Sequence, residues 1–374
     1  MKNRFDTIYH AATLLTAIFT VAAITLLTSI APYSAIVGFI GRNLSTSASA
    51  KTYMNNLLSD EKNNNILTSD RTVYTVNPID ALTKTPDDIA KLIETAKANS
   101  ANDKKDGNII RKQYAQNTVT KKVGNILVRN NTTTQQSLDL EKVLQDKPDI
   151  TVADKAKPAV LIFHTHTTES YEMLDREWYA QDYITRSNSP DINMVRVGKE
   201  IKQQLEAAGY TVIHDTQIHD EKYTGAYAHS RKSVEEYLKK HPEIQIILDV
   251  HRDAIEQDDG TRIKPTANIL GKDAAQIMII SGCEEGKVTD FPNWKKNLTF
   301  ALELQSVCEE MYPGLMRPVY FCQRKYNMDL SPNNLLVEMG SSANTLEEAA
   351  YSGRLLGNAL VKLLDSTQTK DDIN

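Results

Sequence analysis

Residues 158–365 alternate short apolar runs with helical periodicity, and no other feature of the chain narrows its fold as far. Residues 159–163 read AVLIF between a proline and a polar stretch, the pattern of a strand buried on both faces. Met194, Val197, Ile201, Leu205 and Ala208 recur at helical spacing; Gly209 stops that helix and residues 210–213 read as the next strand. The series continues with a helix over 225–240, strands over 244–250 and 276–280, a helix over 294–311, and strands over 318–322 and 335–337. A last helix over 345–364 carries Glu347 and Glu348 in its first turn, where the backbone dipole favours acids. Such alternation predicts an α/β fold with a mostly parallel sheet covered by helices on both faces. In sheets of that kind, chemistry gathers just beyond the carboxyl ends of the strands.

The rest of the 374 residues differs in character. Residues 7–41 contain no Asp, Glu, Lys or Arg, and the run 11–30 reaches the roughly 20 residues that cross a bilayer core. That run is apolar on every face, which argues against an amphipathic core helix. Lys2 and Arg4 precede it, so the positive-inside tendency leaves the N-terminus in the cytoplasm and sends the remainder outside. A cleaved signal peptide is the rival reading. Its apolar region normally runs only about 7 to 15 residues, although Ala48, Ser49 and Ala50 offer a small-residue cleavage pattern. Residues 1–42 are therefore expected to form a cytoplasmic tail and a single-pass transmembrane helix anchored in the cell membrane. Residues 43–157 contain no Phe, Trp or Cys and are rich in Asn, Thr, Lys and Asp. So few large side chains cannot offset the entropy of ordering an independent core. A polar extracytoplasmic stalk is expected there, with at most a small element such as a strand near residues 125–128. Residues 366–374 are a short tail.

Composition removes several function classes. A net charge of −5 leaves no basic field for nucleic acid. Cys283, Cys308 and Cys322 are too few and too scattered for a disulfide framework or a cysteine zinc cage. Neither Gly-x-Ser-x-Gly nor His-Glu-x-x-His occurs, so the common serine-hydrolase and helix-borne zinc-protease layouts are missing.

Three predicted strands end in unusual polar clusters. Phe163 leads into HTHTTESY, Val250 into HRDA and Val337 into EMGSSAN. Histidines and acids from separate strands thus meet along one edge. A catalytic zinc takes three protein ligands, typically imidazole and carboxylate, and keeps one position open for water. His166, His251 and one acid complete such a set, and a further carboxylate serves as the base. Arg252 and Asp253, beside His251, read either as groups that orient the site or contact a peptide carboxylate, or as a structural ion pair. His10, His214, His219, His229 and His241 read as ordinary surface residues.

The segments VLIFHTHTTESY, ILDVHRDA and LLVEMGSSANTLEEA, in that order, resemble the catalytic region of the stage II sporulation protein P family, within the N-acetylmuramoyl-L-alanine amidase type 3 superfamily. The resemblance covers residues 158–364, and the anchor and divergent stalk are similar to that family as well. It implies His166 and His251 as zinc ligands, with His164 less favoured than His166, and Glu338 as the catalytic residue. Gly340 and Asn344 stand at corresponding positions, and Ala343 replaces a serine. The superfamily's glutamate ligand, just before the first helix, has no counterpart, since this chain has Pro190, Asp191 and Asn193 there. Glu169 is the expected substitute, with Glu172, Glu177 and Asp191 behind it. The implied activity is Zn2+-dependent cleavage of the amide between N-acetylmuramic acid and L-alanine in peptidoglycan, with endopeptidase action on stem-peptide crosslinks. The implied setting is septal wall remodelling during spore engulfment, with the catalytic domain outside the cytoplasm at the sporulation septum. Stage II sporulation protein D, which cleaves glycan, and an engulfment membrane protein are the implied partners. The alternative is a non-catalytic cell-wall-binding or scaffold protein of the same machinery. Retention of both histidines and Glu338 argues against it.

Overall fold

The computed structural model describes residues 78–114, 121–132, 139–183 and 185–368. The predicted membrane anchor, its cytoplasmic tail and the first part of the expected stalk lie outside them. No helix among the described residues is long and apolar enough to cross a membrane.

The described chain opens with α1 (Pro78–Thr83), α2 (Asp87–Asn99), β1 (Gly107–Lys112), β2 (Lys121–Val123), β3 (Ile126–Asn131) and α3 (Leu140–Val143). The α/β part follows with β4 (Pro158–Phe163), β5 (Trp178–Tyr179), α4 (Met194–Ala207), β6 (Thr211–His214), α5 (Ala226–Lys240) and β7 (Ile246–Asp253). It ends with β8 (Arg262–Ile269), β9 (Lys272–Ala275), β10 (Ile277–Gly282), α6 (Trp294–Met311), β11 (Val319–Cys322), β12 (Asn334–Ser341) and α7 (Leu346–Gln368). Every strand and helix expected between 158 and 365 is present within a few residues of its expected bounds.

The main sheet has eight strands in the order β2-β3-β11-β10-β12-β7-β4-β6. It is mixed, which corrects the mostly parallel sheet that the alternation predicts. The strands β12, β7, β4 and β6 run parallel, as do β3, β11 and β10 among themselves, but β10 is antiparallel to β12 and β2 to β3. A helical crossover is what returns a chain to the edge where a parallel strand must start. None intervenes after β7: the chain forms the antiparallel β8-β9 pair, and Gln276 alone separates β9 from β10. Thus β10 runs back from the side where β7 ended.

β1, β2 and β3, expected within the stalk, are part of the folded unit. β3 pairs in parallel with β11, aligning Val128 with Val319, and β1 pairs with β8 in a second sheet ordered β5-β1-β8-β9. This segment cannot build a core alone, but it shares one. Ile126, Leu127 and Val128 are buried, and Gln305 on α6 bonds both main-chain groups of Leu127.

Layering follows from the period-two alternation of β4. Val160 and Ile162 pack in the larger core with Val197 and Ile201 of α4 and with Leu356 and Leu360 of α7. Leu161 and Phe163 point the other way and pack with Val234 of α5 and Ile247 of β7. The carboxyl ends of β4, β7 and β12 emerge side by side between these layers.

Candidate active site

Register brings the predicted residues together. In the parallel pair β12-β7, Glu338 lies opposite His251, so both side chains stand on one face of the sheet. The residues after β4 turn back over that face. His166, only 7% exposed, sets its ring edge-on to His251 with centroids 5.3 Å apart. Glu169 Oε2 lies 3.6 Å from His251 Nδ1, and its Oε1 lies 3.6 Å from an Arg186 amino group. The structure therefore groups His166, Glu169, His251 and Glu338.

The site is electrostatically polarised. Burial opposes the charge on Glu169, but hydrogen bonding to His251 and the positive field of Arg252 outweigh it and hold the carboxyl down at about 2. Burial likewise disfavours a charged His251, yet Asp249 and Glu169 push it well above the ordinary imidazole range. His166 is lowered, by burial first and then by the charge of His251. Burial pushes Glu338 up to about 8. Two carboxyl groups in one site thus hold protons very differently, the usual mark of a base and a fixed charge.

The remaining candidates are elsewhere. His164 turns inward, with Nδ1 2.9 Å from Val250 O and Nε2 2.9 Å from His214 Nε2. Glu172 belongs to another cluster, 3.8 Å from an Arg176 amino group and 4.0 Å from one of Arg262. Glu177 and Asp191 are exposed. Arg252 holds the histidine-bearing turn, donating from Nε to Ser170 O at 2.8 Å and from an amino group to Thr185 O at 2.9 Å. Asp253 accepts from Arg317 at 2.9 Å, which is the structural ion-pair reading. Gly340 has a φ of 72° and lies against Asn344, whose Oδ1 would sit 2.5 Å from an added Cβ, so the Glu-x-Gly spacing has a packing cause.

Several residues escaped the sequence reading. Asp249 precedes His251 by two and so shares its face of β7; Oδ1 lies 2.8 Å from His251 Nε2, while Thr165 donates from N and Oγ1 to the same carboxylate. Its signal was the strand alternation itself. Asp220, on the loop after β6, accepts from Arg186 at 2.8 Å and from Thr168 Oγ1 at 2.7 Å and lies 3.8 Å from His166 Nδ1. Nothing in sequence spacing marks it. The surface reading of His214 and His219 is corrected: His219 is buried with Nε2 3.1 Å from Asp215, and His214 is half-buried against His164.

The His164-His214 pair has a testable consequence. Burial lowers His164 to about 4 and His214 to about 3. A depressed imidazole in the folded state means that the unfolded chain binds more protons, so stability falls as pH drops from about 6.5 toward those values. Each such group contributes a slope of about 1.4 kcal/mol per pH unit. His214→Gln removes one of the two while still offering a donor to His164. The variant's melting temperature is expected to fall less steeply than the parent's between pH 6.5 and 4.5, by about 2–4 °C per pH unit. Equal slopes would show that the pair does not govern acid stability.

Whether the site suits zinc can be judged from its donors. No three His, Cys, Asp or Glu side chains among the described residues stand close enough, as they are, to hold one ion. The donor chemistry nonetheless fits. His166 Nδ1 and Glu338 Oε2 are buried with no hydrogen-bond partner, and buried polar atoms are rarely left so without a reason. Two imidazoles with a carboxylate alongside are a zinc-type donor set.

Among solved structures, the chain is similar to the CwlD amidase from Clostridioides difficile in complex with the GerS lipoprotein, at 10% identity over 56% of this chain and 99% of that one, with a TM-score of 0.37. It is also similar to the N-acetylmuramoyl-L-alanine amidase AmiC2 of Nostoc punctiforme, at 10% identity over 56% of this chain and 96% of that one, with a TM-score of 0.33. Scores this low support no conclusion about chemistry. In sequence, Stage II sporulation protein P of Bacillus subtilis (strain 168) is 31% identical over 226 residues, covering 57% of this chain and 52%, about half, of that relative. The family model for Stage II sporulation protein P (SpoIIP) matches residues 61–361, and the chain belongs to that family.

Proposed function

We propose that this chain is a zinc-dependent peptidoglycan hydrolase that cleaves the N-acetylmuramoyl-L-alanine amide. The observation that carries the reading is the meeting of His166, Glu169, His251 and Glu338 over the ends of three neighbouring parallel strands. His166, His251 and Glu169 hold the metal. Zinc, when bound, supplies Lewis acidity toward the scissile carbonyl and the attacking water. Glu338 accepts the water's proton and returns it to the departing L-alanine amine. Asp249 fixes the orientation of His251, as carboxylates commonly do for ligating imidazoles. Arg252 keeps the turn carrying His166 and Glu169 over the strand ends. Stem-peptide crosslinks are a second substrate of the same site. The setting in this reading is the outer face of the cell membrane at a sporulation septum, through an anchor in residues 1–42. Stage II sporulation protein D and an engulfment membrane protein are its partners there.

The test uses the full chain on purified sacculi, with and without a zinc chelator, with products identified by mass spectrometry. Free L-alanine amino termini are expected, lost on chelation and restored by added zinc. Their absence under every condition, including with a glycan-cleaving partner present, would overturn the reading. Metal content of His166→Ala and His251→Ala is expected to show affinity at least about tenfold weaker than the parent. Glu169→Ala is expected to behave likewise; full zinc occupancy in that variant would remove Glu169 from the ligand set.

A further inference from the structure

Tyr223 is 68% exposed, more than Ile110 at 49% or Leu270 at 47%. Its ring lies flat on His166, with centroids 4.7 Å apart and planes within 1°. The tyrosine keeps that exposure although a residue of the candidate site covers one face and the Arg186 guanidinium lies over its ring, 5.5 Å from the centroid. Two further tyrosines extend the aromatic surface. Tyr227 sets its edge to His166 at 5.6 Å and lies nearly parallel to His251, and Tyr326 stacks on Tyr227 at 5.2 Å.

The loop that presents Tyr223 is held at several points. Asp220 is tied to Thr168 and Arg186, and His219 is tied to Asp215 on one side and to His229 at 3.1 Å on the other. Tyr326 is placed at a conformational cost. It and Asn327 have φ values of 44° and 60°, a region that bulky side chains avoid. Hydrogen bonds from Asn327 Nδ2 to Tyr227 O and from Asn334 Nδ2 to Asn327 O, each 2.9 Å, hold that turn. Strain kept beside a candidate site, in order to present a ring, points to a ligand.

We propose that Tyr223, flanked by Tyr227 and Tyr326, is a sugar-binding subsite that takes a pyranose ring of the glycan strand next to the scissile amide. This rests on the amidase reading above, in which the bond cleaved joins a sugar on one side to a peptide on the other. A peptide stem would call for free cations and main-chain donors at this position. The nearby guanidinium groups are committed, Arg186 to Asp220 and Thr168, and Arg252 to two carbonyls. Tyr223 offers exposed π surface, which matches the C–H face of a pyranose chair. A platform built in advance also spares the ligand the entropy of ordering it.

The test uses the full chain carrying Glu338→Gln, so that nothing turns over, and titrates peptide-free glycan strands by calorimetry. With Tyr223→Ala added, glycan affinity is expected to fall about tenfold, while Tyr223→Phe and Tyr223→Trp stay within about threefold. On sacculi, with Glu338 intact, Tyr223→Ala is expected to raise KM by a similar factor with kcat little changed, the signature of lost ground-state binding. Unchanged glycan affinity in Tyr223→Ala, equal losses for Phe and Ala, or no glycan binding by the parent would each overturn the subsite. Loss of binding to the free stem peptide instead would assign the platform to the peptide side and overturn it too. Failure of the amidase reading shows separately, as missing L-alanine termini with glycan binding by Tyr223 intact.

Discussion

Glu338→Gln is expected to lower kcat on sacculi by about 1,000-fold while leaving zinc content unchanged, since a positioned general base contributes roughly 100- to 10,000-fold. The substitution keeps the size of the side chain and removes the only feature that the proposed role needs, a carboxylate that can take a proton. The structure supplies the geometric reason: Glu338 sits opposite His251 in the β12-β7 register, and its Oε2 is buried without a partner. The same environment predicts a gain elsewhere. Burial raises the folded-state carboxyl to about 8, against an ordinary value of 4.5. A raised carboxyl contributes stability that is fully present below pH 4.5 and is lost as pH climbs through about 8, because the folded chain must hold a proton that the unfolded chain releases. Glutamine carries no such proton. In zinc-free buffer the variant is therefore expected to melt above the parent at pH 7, by a margin that grows from pH 5 to 8. Lower turnover with higher stability is the trade-off of a group kept for function. Activity within about tenfold of the parent, by contrast, would place the base elsewhere.

How much of this was legible in the chain depends on how local the cause is. The helices and strands of the α/β part follow from periodicity, and His166, His251 and Glu338 follow from where apolar runs break into polar clusters. The strand directions did not, because they depend on a missing crossover after β7, and the β8-β9 pair that replaces it carries little alternation. In the polar segment the strand near 125–128 was legible and is β3, but β1 and β2 were not, for a related reason. A polar segment with few large side chains reads as spacer until a partner strand, here β11 or β8, supplies the burial that it lacks. At the site, Glu169, chosen as a substitute because the motif's own glutamate is missing, lies 3.6 Å from His251 Nδ1. Asp220 and Tyr223 reach His166 through loop closure, and no spacing rule reports that.

Arg354→Met tests how firmly the early segment belongs to the folded unit. Arg354 is buried on α7 and donates from Nε to Leu82 O at 2.9 Å, and from its amino groups to Glu200 at 3.0 Å and Glu347 at 3.1 Å. Glu200 also accepts from Arg196 at 2.7 Å, and Arg196 reaches on to Asp88 of α2. Lys272 Nζ joins the same network, donating to Thr83 O at 2.7 Å and to Glu347. One guanidinium thus links α1, α4 and α7. Removing it leaves buried oxygens of Glu200 and Leu82 without a donor, and breaking a buried ion pair from one side costs about 3–5 kcal/mol. At about 2–4 °C per kcal/mol for a domain of this size, the melting temperature is expected to fall by about 10 °C. Hydrogen exchange should quicken over 79–99 more than in β4, since the lost bonds anchor that segment directly. Adding Glu200→Met should recover part of the loss, because much of the cost is a stranded charge rather than a missing attraction. A melting temperature within about 2 °C of the parent, with exchange over 79–99 unchanged, would mean that α1 and α2 are held by other contacts and that this network is incidental to the fold.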